Sequence, residues 1–250
     1  MKITSCLKIL SVCLLFVFIP LEGSDDLDSI TYKSFAHRQF SAWPDIILSE
    51  TNALTLHNSS LQDVERLFIN YYGYIGHLLD YKRQDEASLW LQKAKKAFDP
   101  YLKKYSNEAS INALHSIFIA YEIALSPLKA PFKISSLFSA IKKAKAIDET
   151  NFLVKISQGN VAFYFPEVFG GDKKEAINYY KQVYRYFKLN PDIARSDWVY
   201  LSTLSTICIA YEQLGQYKEA IKWAKLALSV APDFVIVKDF IMPRLIEYKN

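Results

Sequence analysis

The chain has 250 residues, of which 51% are hydrophobic and 15% aromatic, with a formal charge of +4. That apolar content excludes a disordered chain, and a near-neutral balance of scattered charges gives no basis for a nucleic-acid partner. Seven Gly and nine Pro are too few for a turn-rich β-sandwich, whereas long helices on short links need little of either.

Lys2 and Lys8 precede an apolar run at residues 9–19, followed by Pro20, Leu21, Glu22, Gly23 and Ser24. Basic, apolar and small-residue regions in that order predict a secretory signal peptide over residues 1–23. The run falls short of the roughly 20 apolar residues that span a bilayer as a helix, and no later stretch reaches that length. Val12 before Cys13 departs from the lipoprotein pattern. The expected location is therefore the bacterial periplasm or the exterior, with envelope association as an option. Cleavage leaves Cys208 as the one cysteine, so no internal disulfide forms and the fold must rest on its core. Flanked by Ile207 and Ile209, Cys208 reads as a small buried apolar residue rather than a reactive thiol.

Residues 28–56 read as helix with a break at Trp43-Pro44, a cap that places an N-terminal helical segment at 24–60 before a repeat domain at 61–250. Ser60 then offers an N-cap with Asp63 three residues on. Leu61, Val64, Leu67, Phe68 and Tyr71 mark an apolar helix face, and residues 84–98 supply a second helix. Residues 116–122 read S-I-F-I-A-Y-E, and 206–212 read T-I-C-I-A-Y-E. The second half of each unit recurs as well: A-I-K-K-A-K at 140–145, A-I-N-Y-Y-K at 176–181 and A-I-K-W-A-K at 220–225, with a weaker match at 87–94. Self-similarity at this spacing predicts stacked helix pairs.

Tyr121 and Ala140 lie 19 positions apart where Tyr211 and Ala220 lie 9 apart. With Pro127 and Pro131 in the interval, the extra residues predict a long loop over 126–136, able to act as a lid. A third pair spans 152–165 and 173–188. Between its helices Pro166 stops the first, Phe169 can tuck under the turn, Gly170 and Gly171 permit positive φ, and Asp172 can cap the second. Residues 234–248 form the closing cap.

The unit at residues 201–233 carries Leu204, Ile207, Cys208, Tyr211, Gly215, Tyr217, Ala220, Ala227 and Pro232 at the spacing of a unit of about 34 residues, and it resembles the tetratricopeptide repeat. Cys208 and Ala224 depart from the usual residue types without disturbing the helix pattern. The physical logic is independent of the family. Ala220, Ala224 and Ala227 share one face and admit a close neighbour helix, while Leu204, Ile207 and Tyr211 fill the space opposite. Pro166-x-x-Phe169-Gly170-Gly171 is similar to a P-x-x-F-G-G turn found in exported tetratricopeptide proteins of Bacteroidetes type. The resemblance implies an all-α superhelix of about four hairpins with atypical caps, and a non-catalytic scaffold for a protein or peptide partner in the envelope. The alternative it leaves open is a solute-binding component beside a transporter.

No chemistry-bearing constellation appears. The histidines are dispersed, there is no Cys-x-x-Cys, and the glycine pair lacks the Lys-Ser/Thr of a phosphate loop. No catalytic residue, cofactor or metal is expected. In a curved array the first helix of each pair lines the inner face, which makes Tyr72, Gly76, His115, Ile119, Glu122, Gln158, Phe165, Ser205, Ile209 and Glu212 the inward candidates. Glu122 and Glu212 stand at equivalent places after the shared I-A-Y.

Overall fold

The computed structural model describes residues 24–56 and 59–248, so the expected signal segment at 1–23 lies outside the described residues. Twelve α-helices and no strand occur among the described residues. Two helices, α1 (Ser24–His37) and α2 (Trp43–Leu56), come first. Four antiparallel pairs follow: α3 (Leu61–Asp80) with α4 (Gln84–Lys104), α5 (Ala109–Leu125) with α6 (Ala130–Ile147), α7 (Phe152–Tyr164) with α8 (Lys173–Leu189), and α10 (Trp198–Gln213) with α11 (Tyr217–Val230). The short α9 (Pro191–Ala194) links the third pair to the fourth. A π-turn at Ile236–Ile241 and α12 (Met242–Glu247) close the chain.

Serial contacts join α3 to α5, α5 to α7 and α8 to α10, so each hairpin leans on the next as a superhelix requires. Ala220, Ala224 and Ala227 are fully buried, as are Leu204, Ile207 and Cys208 opposite them. Small side chains on one helix and large ones on its neighbour thus produce the close pairing. Caps set the helix starts. Ser60 and Asp63 exchange both bonds of a capping box, Asn151 accepts from Leu153 N at 2.9 Å, and Asp172 accepts from Lys174 N at 2.7 Å.

Three expectations need correcting. The break in the N-terminal segment precedes Trp43-Pro44. Arg38, in left-handed backbone at φ 57°, ends α1 in a Schellman arrangement, with Gln39 N donating to Ser34 O at 2.8 Å. Pro44 sits in the first turn of α2, where the missing N–H has no helical partner to lose. The long loop at 126–136 does not exist either. A 3-10 turn at Pro127–Lys129 leads directly into α6, whose first turn holds Pro131, and most of the extra residues extend that helix. Finally, Gly170 takes positive φ (91°) but Gly171 does not. A Cβ on Gly171 would meet Phe165 O at 1.8 Å, so close backbone approach explains it, and Phe169 stays 38% exposed instead of tucking under.

The N-terminal helices determine the shape of the inner face. α2 packs on α3, and α1 crosses to α10, so the two ends of the array meet. Phe35 lies 5.3 Å from Trp198 and 5.9 Å from Phe234, and Trp43 lies 5.4 Å from Trp198, measured between ring centroids. Gly73 of α3 makes room for this cluster: a Cβ there would meet both Trp43 and Trp198 at 2.6 Å. Trp198 Nε1 donates to Asn70 Oδ1 at 3.3 Å, a bond between residues 128 positions apart.

Candidate functional site

Closing the concave side leaves a cavity of about 390 Å³. Its wall is formed by the facing sides of α1, α3, α5, α7 and α10 together with the C-terminal segment, and it is mainly apolar: Phe35, Tyr72, Ile117, Tyr121, Trp198 and Ile209 contribute. A short polar seam runs along one side. Tyr121 Oη donates to Tyr72 O at 2.9 Å, Asn160 Nδ2 donates to the Tyr72 hydroxyl at 3.3 Å, and the Tyr180 hydroxyl donates to Asn160 Oδ1 at 2.7 Å. Arg38, His77 and Asp80 bring the titratable groups. His77 stacks on Phe40 at 3.7 Å, and burial, with help from Arg38 and Arg83, lowers its pKa to about 4. It is neutral at physiological pH.

The inward candidates divide. Tyr72, Phe165 and Ser205 line the cavity, as do Gly76 and Ile209. Ser205 spends its hydroxyl on Ser202 O at 3.0 Å. His115 is half-buried beside Lys95 and Glu122 and does not reach the cavity; burial, then Lys95, lowers its pKa. Gln158 donates to the Tyr179 hydroxyl at 3.3 Å, and its Oε1 is buried without a partner. Ile119 belongs to a separate apolar cluster between α5, α6 and α7.

The two equivalent glutamates are both held in ion pairs. Glu122 bridges Lys95 of α4 and Lys133 of α6, the latter at 2.9 Å. Burial pushes its carboxyl upward, but the two lysines more than offset that and hold it below the usual range. Glu212 takes a two-point contact from Arg244 of α12, with Nη2 at 2.7 Å. Each pair ties the end of a first helix to the element beside it.

Sequence reasoning missed Arg38, Asp80 and Trp198. Arg38 and Trp198 reach the cavity through the α1–α10 closure, which no local pattern announces, whereas Asp80 ends α3 on the face of Tyr72 and Gly76 and was within reach of the register argument. No group of three or more His, Cys, Asp or Glu that could hold a metal ion occurs among the described residues. No single described helix is long and apolar enough to cross a membrane; α5 and α6 pass only jointly, across a bend of 120°.

A family model for the tetratricopeptide repeat matches residues 209–234, within the unit whose spacing is most regular. No relative among curated proteins matches the chain. Among solved structures, the crystal structure of a thermophilic tetratricopeptide-repeat protein from Thermus thermophilus is similar with a TM-score of 0.53 at 13% identity, covering 90% of this chain and 99% of that one. At that identity the likeness speaks to fold alone. With the four serial hairpins, these findings show an all-α superhelix of tetratricopeptide type, in which residues 209–234 carry the family's own repeat pattern.

Proposed function

We propose that this is an exported, non-catalytic binding protein that holds a small, mainly apolar ligand in the partly open cavity on its concave side. The observation that carries the reading is the closure of the concave side by α1 and Trp198. It leaves a space near the lower end of the range of about 300–1,000 Å³ usual for small-molecule sites, rather than a groove for a long peptide. Export rests on the composition of residues 1–23, and a place beside an envelope transporter would suit such a carrier. A binding role suits the mainly apolar lining and the tetratricopeptide-type fold.

A thermal-shift screen of envelope metabolites tests it. A compound at 100 times its Kd stabilises by about 2.7 kcal/mol, a rise of about 5–10 °C for a chain of this size. The expected result is such a rise with at least one apolar metabolite, absent in a variant whose cavity is filled by Ile209→Trp. A panel that shifts nothing would overturn the reading.

One observation favours a protein partner as a second reading. Leu128 is 91% exposed, Phe132 82% and Val168 83%, at the α5–α6 and α7–α8 connections of adjacent hairpins. Large apolar side chains that project from neighbouring turns suit a protein contact. Partner recovery from an envelope extract should then fall in Leu128→Ser plus Phe132→Ser and persist in Glu122→Lys plus Glu212→Lys; the reverse pattern would return attention to the concave face.

A further inference from the structure

Among the residues lining the cavity, Arg38 carries the one guanidinium and Asp80 the one carboxyl group, while His77 is held neutral; burial raises the Asp80 carboxyl and the charge of Arg38 opposes that rise. They flank the same apolar space, yet neither has an opposite charge within 4.0 Å among the described residues. Arg38 is fixed by other means. Its Nε donates to the Tyr81 hydroxyl at 2.9 Å, and its guanidinium stands 4.9 Å from the Tyr81 ring centre and 5.6 Å from that of Phe240. Aromatic contacts thus position the cation without neutralising it. The backbone there is left-handed, a conformation in which glycine would be more at ease.

A basic and an acidic group that feel each other's charge without closing an ion pair, set beside an apolar hollow, match a ligand that carries both charges on an apolar body. We infer that the cavity binds a free α-amino acid with an apolar or aromatic side chain, its carboxylate on Arg38 and its ammonium on Asp80. This rests on the small-ligand reading above and names the ligand class for that site. The guanidinium fork suits a carboxylate. The side chain would lie among Tyr72, Tyr121, Trp198 and Ile209, which define a space too small for a folded peptide.

Isothermal titration of the full chain with L-phenylalanine and L-leucine, with N-acetyl-L-phenylalanine and L-phenylalaninamide, and with toluene separates the possibilities. Charged hydrogen bonds of this kind change affinity by tenfold or more. The free amino acids should therefore bind at least tenfold more tightly than either blocked analogue. In Arg38→Gly, a change the left-handed backbone accepts, the preference for phenylalanine over its amide should vanish. In Asp80→Asn the preference over the N-acetyl compound should vanish. Circular dichroism confirms that both variants are folded. Equal affinity for phenylalanine, its blocked forms and toluene would overturn the zwitterion assignment and leave the small-ligand reading standing. No heat from any of the five compounds would overturn the assignment as well, and a metabolite screen without stabilisation would then remove the small-ligand reading itself.

Discussion

Replacing Trp198 by alanine tests the closure that creates the cavity. Trp198 is 4% exposed and packs among Phe35, Trp43 and Tyr72 in tilted and edge-on contacts, with ring centroids 5.3, 5.4 and 5.7 Å away. Truncating a buried tryptophan costs about 3–5 kcal/mol. For a domain of this size each kcal/mol lowers the Tm by about 2–4 °C, so the expected fall is about 6–20 °C. The decisive readout is local. Because Trp198 is where α10 grips both N-terminal helices, Trp198→Ala should also release the link at residues 38–42 and open it to tryptic cleavage after Arg38. Trp223→Ala supplies the control. That residue is 9% exposed and packs on Tyr184 at 5.1 Å, away from α1. It should lose stability without exposing the Arg38 site. Limited proteolysis at matched distance below each variant's Tm separates the two effects. Identical cleavage patterns, or a loss below about 1 kcal/mol for Trp198→Ala, would refute the reasoning.

The α7–α8 turn gives a second test: Gly170→Ala should cost about 1–2 kcal/mol for left-handed backbone, and Gly171→Ala more, because its Cβ would meet a carbonyl that cannot give way; urea denaturation ranks them, and the reverse order would contradict the account. Cys208 is fully buried and burial pushes its thiol up to about 12, so a thiol reagent should modify it only on global unfolding; stoichiometric labelling of the native protein within seconds would contradict this. Asp197, the N-cap of α10, accepts from Val199 N at 2.8 Å, while burial, with Asp28 nearby, pushes its carboxyl up to about 7. The folded form therefore binds this proton more tightly than the unfolded one, and the stability it contributes in acid is lost as the pH rises through 7. Asp197→Asn keeps a capping side chain and should flatten the decline in urea midpoint between pH 5 and 8; parallel curves would show that Asp197 does not drive it.

The helix pairs were legible because their cause is local. Ala220, Ala224 and Ala227 recur at helical spacing, and that spacing alone creates a face on which a neighbour can lie. Proline positions were misread for a related reason. Pro44 and Pro131 are compatible with the first turn of a helix, so each marks a start where a break or loop was expected. Half of the cavity was readable from register: Tyr72, Phe165 and Ser205 sit where the first helix of a pair faces inward. The other half was not. Arg38 and Phe35 reach the site because α1 folds back over α10, and a bond such as Trp198 to Asn70 spans 128 positions with nothing between them to foretell it. The equivalence of Glu122 and Glu212 was real as sequence, but their neighbours Lys95, Lys133 and Arg244 come from other helices, which local spacing does not reveal.

Hydrogen exchange along α1 addresses the central claim most directly, because everything about the cavity follows from that helix lying against α10. The amides of residues 30–37 should be protected to within about tenfold of those in α10, since both belong to one packed unit. Exchange of those amides within seconds, with α10 still protected, would mean that the helix does not cover the concave side and that the cavity it walls is not a property of the protein.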